Sequence, residues 1–370
     1  MKNPRDKFLI IALFLILLFA FFATVIFSES TLNLSAKSAV LYEPVTKSFL
    51  YSKNADQRLP MASTTKIMTA LVALENFPCD KIVSIHEEAV GIEGSSLYLK
   101  ANECFKMKDL ITGLMLRSAN DAAVAIAYAV SGGVEEFSSL MNQRASALGL
   151  NDTHFTNPHG LDSPDHYTTA RELALIASEA LKNDTFKEIV STKKATLTNA
   201  DGDVRLVTNH NKLLSMYEGA IGVKTGFTKK SGRSLVGASE RDGLLFITVT
   251  INAPDDWNDH KKLFDYGYST LSLKHLAKKD DLCYNVPVVN SDKEFITVTN
   301  TEAMDIILRT DETVPEMSIS LPKYVAAPIK KGDIIGKAIF IQDGKKIAEV
   351  DLVALEDAYA RGRKKLFDFK

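Results

Sequence analysis

An uncharged apolar run from Phe8 to Phe27 follows Lys2, Arg5 and Lys7. As a helix it would span roughly 30 Å, enough for a bilayer, and a basic flank before such a run marks an export signal whose positive end stays in the cytoplasm. Ser28 and Ser30 offer small residues for cleavage after Ser30, so residues 1–30 read either as a removed signal or as a retained anchor. Either way, the remainder is expected outside the cytoplasm.

From Ala36 the pattern becomes mixed. Residues 39–42 and 48–51 read as a hairpin with Pro44 near its turn. After Pro60, Ile67, Met68, Leu71, Val72 and Leu74 give a helix that is apolar almost all round, and such a helix is buried. Residues 108–117 and 121–130 read as two helices broken at Ser118, Ala119 and Asn120. Phe137, Leu140, Met141 and Leu148 continue at helical spacing to a stop at Gly149. Thr169 and Glu172 have the spacing of a capping box. Strands follow at 220–224, 235–239 and 244–251, the last two around the turn pair Asp242-Gly243, and 261–271 reads as a closing helix. Beyond His275 helical spacing disappears. Short β-prone runs recur around Val286, Phe295, Ile306, Ile319, Ile339 and Ile347, which predicts a separate small all-β unit. In residues 354–370, Leu355, Tyr359, Leu366 and Phe369 fall on one helical side beside Arg361, Arg363, Lys364 and Lys365, the pattern of either an amphipathic, membrane-associating tail or, since Gly362 interrupts it, a solvated one.

Composition narrows this picture by exclusion. With 370 residues, 46% hydrophobic and 24% charged, the chain has enough apolar material for two folded units. A net charge of −2 without a basic block argues against a nucleic-acid surface. Cys79, Cys104 and Cys283 are too sparse for a disulfide scaffold or a cysteine-rich zinc cluster; Cys79 and Cys104 are left either paired or as free buried thiols. His154, His159 and His166 lie near Asp162 and Asp165, but no H-E-x-x-H appears, and loop and packing roles are expected in place of a metal.

Three short motifs carry the chemistry. Ser63 and Lys66 stand three apart at the start of the buried helix, a spacing that puts both side chains on one face. A serine hydroxyl needs a base within reach, and Lys66 can serve only if neutral. That requires its pKa to fall by about three units from about 10.4, or about 4 kcal/mol, which desolvation and a second cation can supply. Ser118, Ala119 and Asn120 interrupt two helices. Read as chemistry, Ser118 joins a proton relay with Lys66 and the Asn120 amide holds a substrate carbonyl. Lys224, Thr225 and Gly226 end a strand, where a cation, a hydroxyl and a residue without Cβ let a peptide lie along the edge. Each motif alone is explained by a surface lysine, a helix break or a strand end. Their order, each in a suitable element and after an export signal, is not.

S-x-x-K, S-x-N and K-T-G in this order resemble the signature of β-lactamases and penicillin-binding proteins, and specifically of the low-molecular-mass D-alanyl-D-alanine carboxypeptidases. The likeness extends to Pro60-Met61-Ala62, Gly94-Ser95-Ser96, Asn120-Asp121-Ala122-Ala123, residues 157–161 (Asn-Pro-His-Gly-Leu), and Ala327-Pro328 with Lys331-Gly332-Asp333. The resemblance implies an α/β (α+β), transpeptidase-like domain over residues 36–273, an antiparallel sheet flanked by helices, followed by an all-β sandwich over 276–353. It implies that Ser63 attacks the carbonyl between the two terminal D-alanines of a peptidoglycan stem peptide, without cofactor, and that β-lactams acylate the same serine. It also implies an oxyanion hole from the N–H groups of Ser63 and Phe227, and contacts of Lys224 and Thr225 with the terminal carboxylate. Ala119 replaces the glycine common in relatives. More consequentially, relatives often carry an arginine just before the closing helix to bind the carboxylate, and residues 252–260 contain none; Lys224, Lys261 or His260 are the expected substitutes. A β-lactamase is the first alternative, disfavoured because no E-x-x-L-N lies between Ser118 and Lys224 and because of the β unit. A cell-wall scaffold with a degenerate site is the second, disfavoured by the intact motifs.

Overall fold

The computed structural model describes residues 32–361. The basic-flanked apolar run and residues 362–370 lie outside the described residues. Among the described residues no helix is long and apolar enough to cross a membrane.

The hairpin forms as β1 (Ser38–Glu43) and β2 (Ser48–Lys53). A 3-10 turn (Ala62–Thr65) then leads into α1 (Lys66–Asn76), whose residues Lys66 to Ala73 are all buried, as an all-round apolar surface requires. A short ribbon of β3 (Ile82–Ser84) and β4 (Cys104–Lys106) precedes α2 (Met107–Leu116), α3 (Asn120–Ser131) and α4 (Val134–Ala147). Next come α5 (Ala170–Ala180), α6 (Asp184–Ser191), the ribbon β5 (Lys194–Thr198) and β6 (Val204–Thr208), and the single turn α7 (Leu213–Met216). Strands β7 (Ala220–Thr228), β8 (Gly232–Arg241) and β9 (Leu244–Ile251) and helix α8 (Asp256–Thr270) complete this half.

Five strands join in the order β2-β1-β9-β8-β7, antiparallel throughout. The sheet is covered on both faces. Val40, Val236, Ile247 and Val249 point into a helical core shared with α1, α3 and α5, while Leu41 and Phe246 meet α8 around Gly267. This double coverage explains why β9 is buried at nearly every position, Thr248 and Thr250 included. β7 lies at the sheet edge, and its Gly226 faces the 3-10 turn.

Past α8 the chain is all strand: β10 (Leu271–Ala277), β11 (Tyr284–Val289), β12 (Phe295–Asn300), β13 (Met304–Arg309), β14 (Glu316–Ser320), β15 (Val325–Ala326), β16 (Ile334–Gln342) and β17 (Lys345–Ala354). β10 pairs with β13, and the rest form a six-stranded sheet, β14-β16-β17-β12-β11-β15. A second apolar cluster built on Val286, Ile296, Val298, Phe340 and Leu352 fills this β-rich half.

Several local expectations are corrected. Lys224-Thr225-Gly226 sits within β7, not at its end, because the strand continues to Thr228 in register with β8. α8 starts at Asp256, five residues before the expected Lys261; Asp256 and Asp259 occupy its first turn, where carboxylates suit the helix dipole. Thr169 caps α5 by accepting from Glu172 N, but the Glu172 carboxylate turns to Asp152 N and Thr153 Oγ1 instead of completing a box. Residues 355–361 are not helical. Their backbone pairs with Ile329 and Asn290, and Ala358 is buried in the second core, so pairing and burial override the helical periodicity. Cys79, Cys104 and Cys283 are all free thiols, the first two half-buried and the third exposed.

His166 and His260 are 3% and 0% exposed. Burial pushes their pKa values down to about 4 and about 3 respectively. Unfolded, each would titrate near about 6.5. Below that pH the unfolded chain binds more protons, so stability falls as pH drops from about 6.5 toward the folded-state values. Each ring is expected to cost on the order of 1 kcal/mol by about pH 5.5. Urea midpoints at about pH 5.5 and 7.5 check this, and equal midpoints would contradict it.

Candidate active site

The 3-10 turn before α1 presents Ser63. Thr64 Oγ1 donates to the Met61 carbonyl at 2.5 Å and Thr65 Oγ1 to the Ala62 carbonyl at 2.8 Å. Ala62 takes φ = 49°, an unfavourable conformation for an alanine, and its neighbours Thr64 and Thr65 are buried while Ser63 is only half-buried. In a 3-10 turn residues i and i+3 eclipse, which stacks Ser63 over Lys66 more closely than the α-helical spacing expected from sequence. Lys66 Nζ lies 3.1 Å from Ser63 Oγ.

Lys66 is completely buried. Desolvation first, and then the neighbouring charge of Lys224, hold its amine well below the ordinary lysine range, while Asp121 opposes them. The same nitrogen contacts Asn120 Oδ1 at 2.7 Å and the His159 carbonyl. That carbonyl is brought close by Gly160 at φ = +91°, where an added Cβ would fall 1.9 Å from the Ala62 carbonyl oxygen. Only glycine fits.

Ser118 and Asn120 come from the break between α2 and α3. The N-cap of α3 is Ala119, which has no side-chain cap, so neither polar residue is spent on capping. Ser118 sits at φ = 62°, 6% exposed. Asn120 is engaged within the protein at both ends of its amide: Oδ1 with Lys66, and Nδ2 donating to the Glu93 carbonyl at 2.5 Å. These contacts orient the lysine. Asp121 ties down the loop opposite, accepting from Ser96 Oγ at 2.6 Å, Leu97 N at 3.0 Å and Leu99 N at 3.1 Å. The third wall is β7. Lys224 is 1% exposed and donates to the Thr225 carbonyl at 3.0 Å, and burial lowers its pKa to about 7. An added Cβ on Gly226 would lie 3.2 Å from both Ser63 N and Thr64 N, so the strand edge and the serine backbone face each other closely.

A cavity of about 380 Å³ opens between these walls, lined by Ser63, Ser118, Thr225, Gly226 and Phe227. Lys66, Asn120 and Lys224 lie buried beside it, so all eight residues singled out in sequence converge here. Sequence reasoning missed Ser95, Lys212, Arg233, Asp256 and Trp257, which line the same cavity. Ser95 lay inside a quoted motif without a role. Lys212 precedes α7, Arg233 is on β8, and Asp256 and Trp257 open α8, with no short-range signal connecting them.

Of the expected replacements for the missing arginine, His260 is sealed between Thr248 Oγ1 at 2.6 Å and Thr250 Oγ1 at 3.0 Å, and Lys261 does not line the cavity. The three clustered histidines also part company. His166 lies 2.7 Å from Thr65 Oγ1, His154 Nδ1 meets the Asp165 carbonyl at 2.6 Å, and His159 supplies its backbone oxygen to Lys66. Among the described residues no three His, Cys, Asp or Glu are grouped as metal ligands.

Comparison with known proteins gives the family. The family model for D-alanyl-D-alanine carboxypeptidase matches residues 25–255, and that for the penicillin-binding protein 5 C-terminal domain matches residues 271–360. The chain is 35% identical to the D-alanyl-D-alanine carboxypeptidase DacF of Bacillus subtilis over 90% of this chain and 88% of the relative. With DacC of Escherichia coli the identity is 30% over 93% and 90%. Among solved structures, penicillin-binding protein 5 from Haemophilus influenzae superposes with a TM-score of 0.65 at 29% identity, covering 88% of this chain and 98% of that one. The Streptomyces K15 DD-transpeptidase superposes with a TM-score of 0.60 at 35% identity, covering 64% and 98%. The chain belongs to the serine-type D-alanyl-D-alanine carboxypeptidases of the low-molecular-mass penicillin-binding proteins, with a transpeptidase-like α/β domain, a β-rich C-terminal domain and a carboxypeptidase function in peptidoglycan processing.

Proposed function

We propose that this chain removes the terminal D-alanine of peptidoglycan stem pentapeptides through an acyl-enzyme on Ser63, with neutral Lys66 as the base. The observation that carries this is the 3.1 Å approach of a fully buried amine to the serine oxygen. A neutral amine has two N–H donors and one lone pair. Asn120 Oδ1 and the His159 carbonyl are obligate acceptors and take the two N–H groups. The lone pair is then left for the Ser63 hydroxyl, which donates to Lys66 as it attacks.

Removal of that proton generates the nucleophile, and the scissile carbonyl carbon becomes tetrahedral. The backbone N–H groups of Ser63 and Phe227 receive its oxyanion, an assignment supported by the close approach of Gly226 to Ser63 N; loss of one such donor typically costs roughly 3–4 kcal/mol. Ser118, on the cavity wall, relays the proton from Lys66 to the departing amine of D-alanine. Lys224 keeps Lys66 neutral by its nearby charge, and Thr225 offers its hydroxyl to the terminal carboxylate. Water then hydrolyses the ester, with Lys66 again as base. β-Lactams enter the same sequence because their amide occupies the place of the scissile bond.

The basic-flanked run before residue 31 makes export the natural route to this substrate, and we place the folded part outside the cytoplasmic membrane. Arg361, Arg363, Lys364 and Lys365 add a cationic end suited to an anionic bilayer surface.

A fluorescent penicillin is expected to label wild type and not Ser63→Ala; label surviving in that variant would end the serine assignment. Lys66→Arg puts a permanently charged group at the base position. It should lower acylation by roughly 10²- to 10⁴-fold at neutral pH, the usual worth of a general base. A rate near wild type in stopped-flow labelling would exclude Lys66 as the base. Cutting after Arg361 spares Ala358 and should reduce membrane co-sedimentation of the signal-cleaved protein; unchanged partition removes the tail from the proposal.

A further inference from the structure

The arginine absent before α8 has a counterpart that no local motif reveals. Arg233 stands on β8 directly opposite Phe227 of β7, at the end of the cavity where Thr225 and Phe227 lie. Its Nη2 donates to Asp256 Oδ1 at 2.7 Å, and its guanidinium carbon lies 5.7 Å from the centre of the Trp257 ring. Asp256 is 2% exposed and also accepts from Trp257 N at 2.9 Å, so the carboxylate that orients the arginine is itself fixed. The arginine side chain keeps 42% of its surface open while its partner is buried. Ser63, Arg233, Asp256 and Trp257 all line one cavity.

We propose that Arg233, aimed by Asp256 and Trp257, is the residue by which this enzyme selects substrates ending in a free carboxylate. The inference rests on the reading of Ser63 as nucleophile, since that fixes which end of the cavity receives the leaving D-alanine. In a D-alanyl-D-alanine terminus the carboxylate lies one residue beyond the attacked carbonyl. A cation serving it must therefore stand next to the β7 edge and not behind the serine. Lys224, on that edge, is buried with its ammonium directed at the Thr225 carbonyl. Lys212 is the other cation on the cavity wall, but among the described residues no side-chain contact fixes it to a carboxylate as Asp256 fixes Arg233. A guanidinium is a flat fork of donors; one edge on Asp256 leaves another for a bidentate hold on a substrate carboxylate. The aromatic ring beneath restrains the plane of that fork.

The test compares two substrates of one length, a diacyl-L-Lys-D-Ala-D-Ala peptide and its C-terminal amide, by release of D-alanine or D-alaninamide. Wild type is expected to favour the carboxylate strongly. Arg233→Gln should lower kcat/KM for the carboxylate peptide by about 10- to 100-fold, mainly through KM, and leave the amide peptide nearly unchanged, collapsing the ratio; a charged hydrogen bond is worth about this much. Asp256→Asn, which keeps the shape but loosens the aim, should lower the ratio partway, and Arg233→Lys should restore part of it. These readouts are ratios within one protein preparation, so partial unfolding does not mimic them. A wild-type ratio retained in both Arg233→Gln and Asp256→Asn overturns the assignment while leaving Ser63 in place. A wild type that neither releases D-alanine nor takes penicillin label overturns both readings together.

Discussion

An ammonium group enclosed with no carboxylate against it cannot keep its charge, and Lys66 is enclosed completely. Transfer of an unpaired charge from water into a protein interior costs several kcal/mol even after relaxation, so the proton leaves instead. Asp121 opposes this by its charge, but its carboxylate is held by Ser96 Oγ and the N–H groups of Leu97 and Leu99, and desolvation with the charge of Lys224 outweighs it. Most of the first half of the fold serves this one condition. Helix α1 has to be apolar all round so that its first residue is dry, and the Asn120 and His159 oxygens have to meet the amine so that its lone pair has one direction left.

The support for that condition is spread along the chain. Gly160 allows the His159 carbonyl to approach the turn before α1, from nearly a hundred residues away. Asp121 binds the loop around Ser96 to the start of α3, which sets Asn120 beside the lysine and Ser95 on the cavity wall. The sheet edge β7 then closes the third side. Each of these joins is made by backbone groups or by short side chains with few rotamers, so the site is held by rigid elements and not by long flexible arms.

This distribution explains what the sequence could and could not reveal. Helices α1 to α5, the five sheet strands and the change to an all-strand half were legible, because burial imposes period and turn chemistry locally; α6 and the single turn α7 were not read. Ser63, Lys66, Ser118, Asn120 and Lys224 were legible because each motif is confined to a few consecutive residues. Phe227 and Thr225 followed from their neighbour. The start of α8 was misread because Asp255 and Asp256 look like loop residues until one is buried against Arg233. Residues 355–361 were expected to be helical, but a helical spacing of apolar residues also fits a strand-like segment whose Ala358 inserts into the second core. Arg233 could not be found at all, since it stands on one strand and its partners on a helix more than twenty residues later, with no spacing rule to connect them.

The cavity therefore puts two cationic residue types to opposite uses, and their chemistry explains which stands where. Lysine loses its proton when buried, with a pKa that shifts readily, and that is the property needed beneath Ser63. Arginine does not deprotonate in proteins, so a guanidinium at the same place would remain charged and useless as a base, while its fork makes it the better partner for a flat carboxylate. At the rim the reverse holds. Arg233 keeps part of its surface in solvent and a buried carboxylate behind it. Depth below the surface thus sets the protonation state of the lysine and residue type that of the arginine, and together they divide the base from the proposed recognition group.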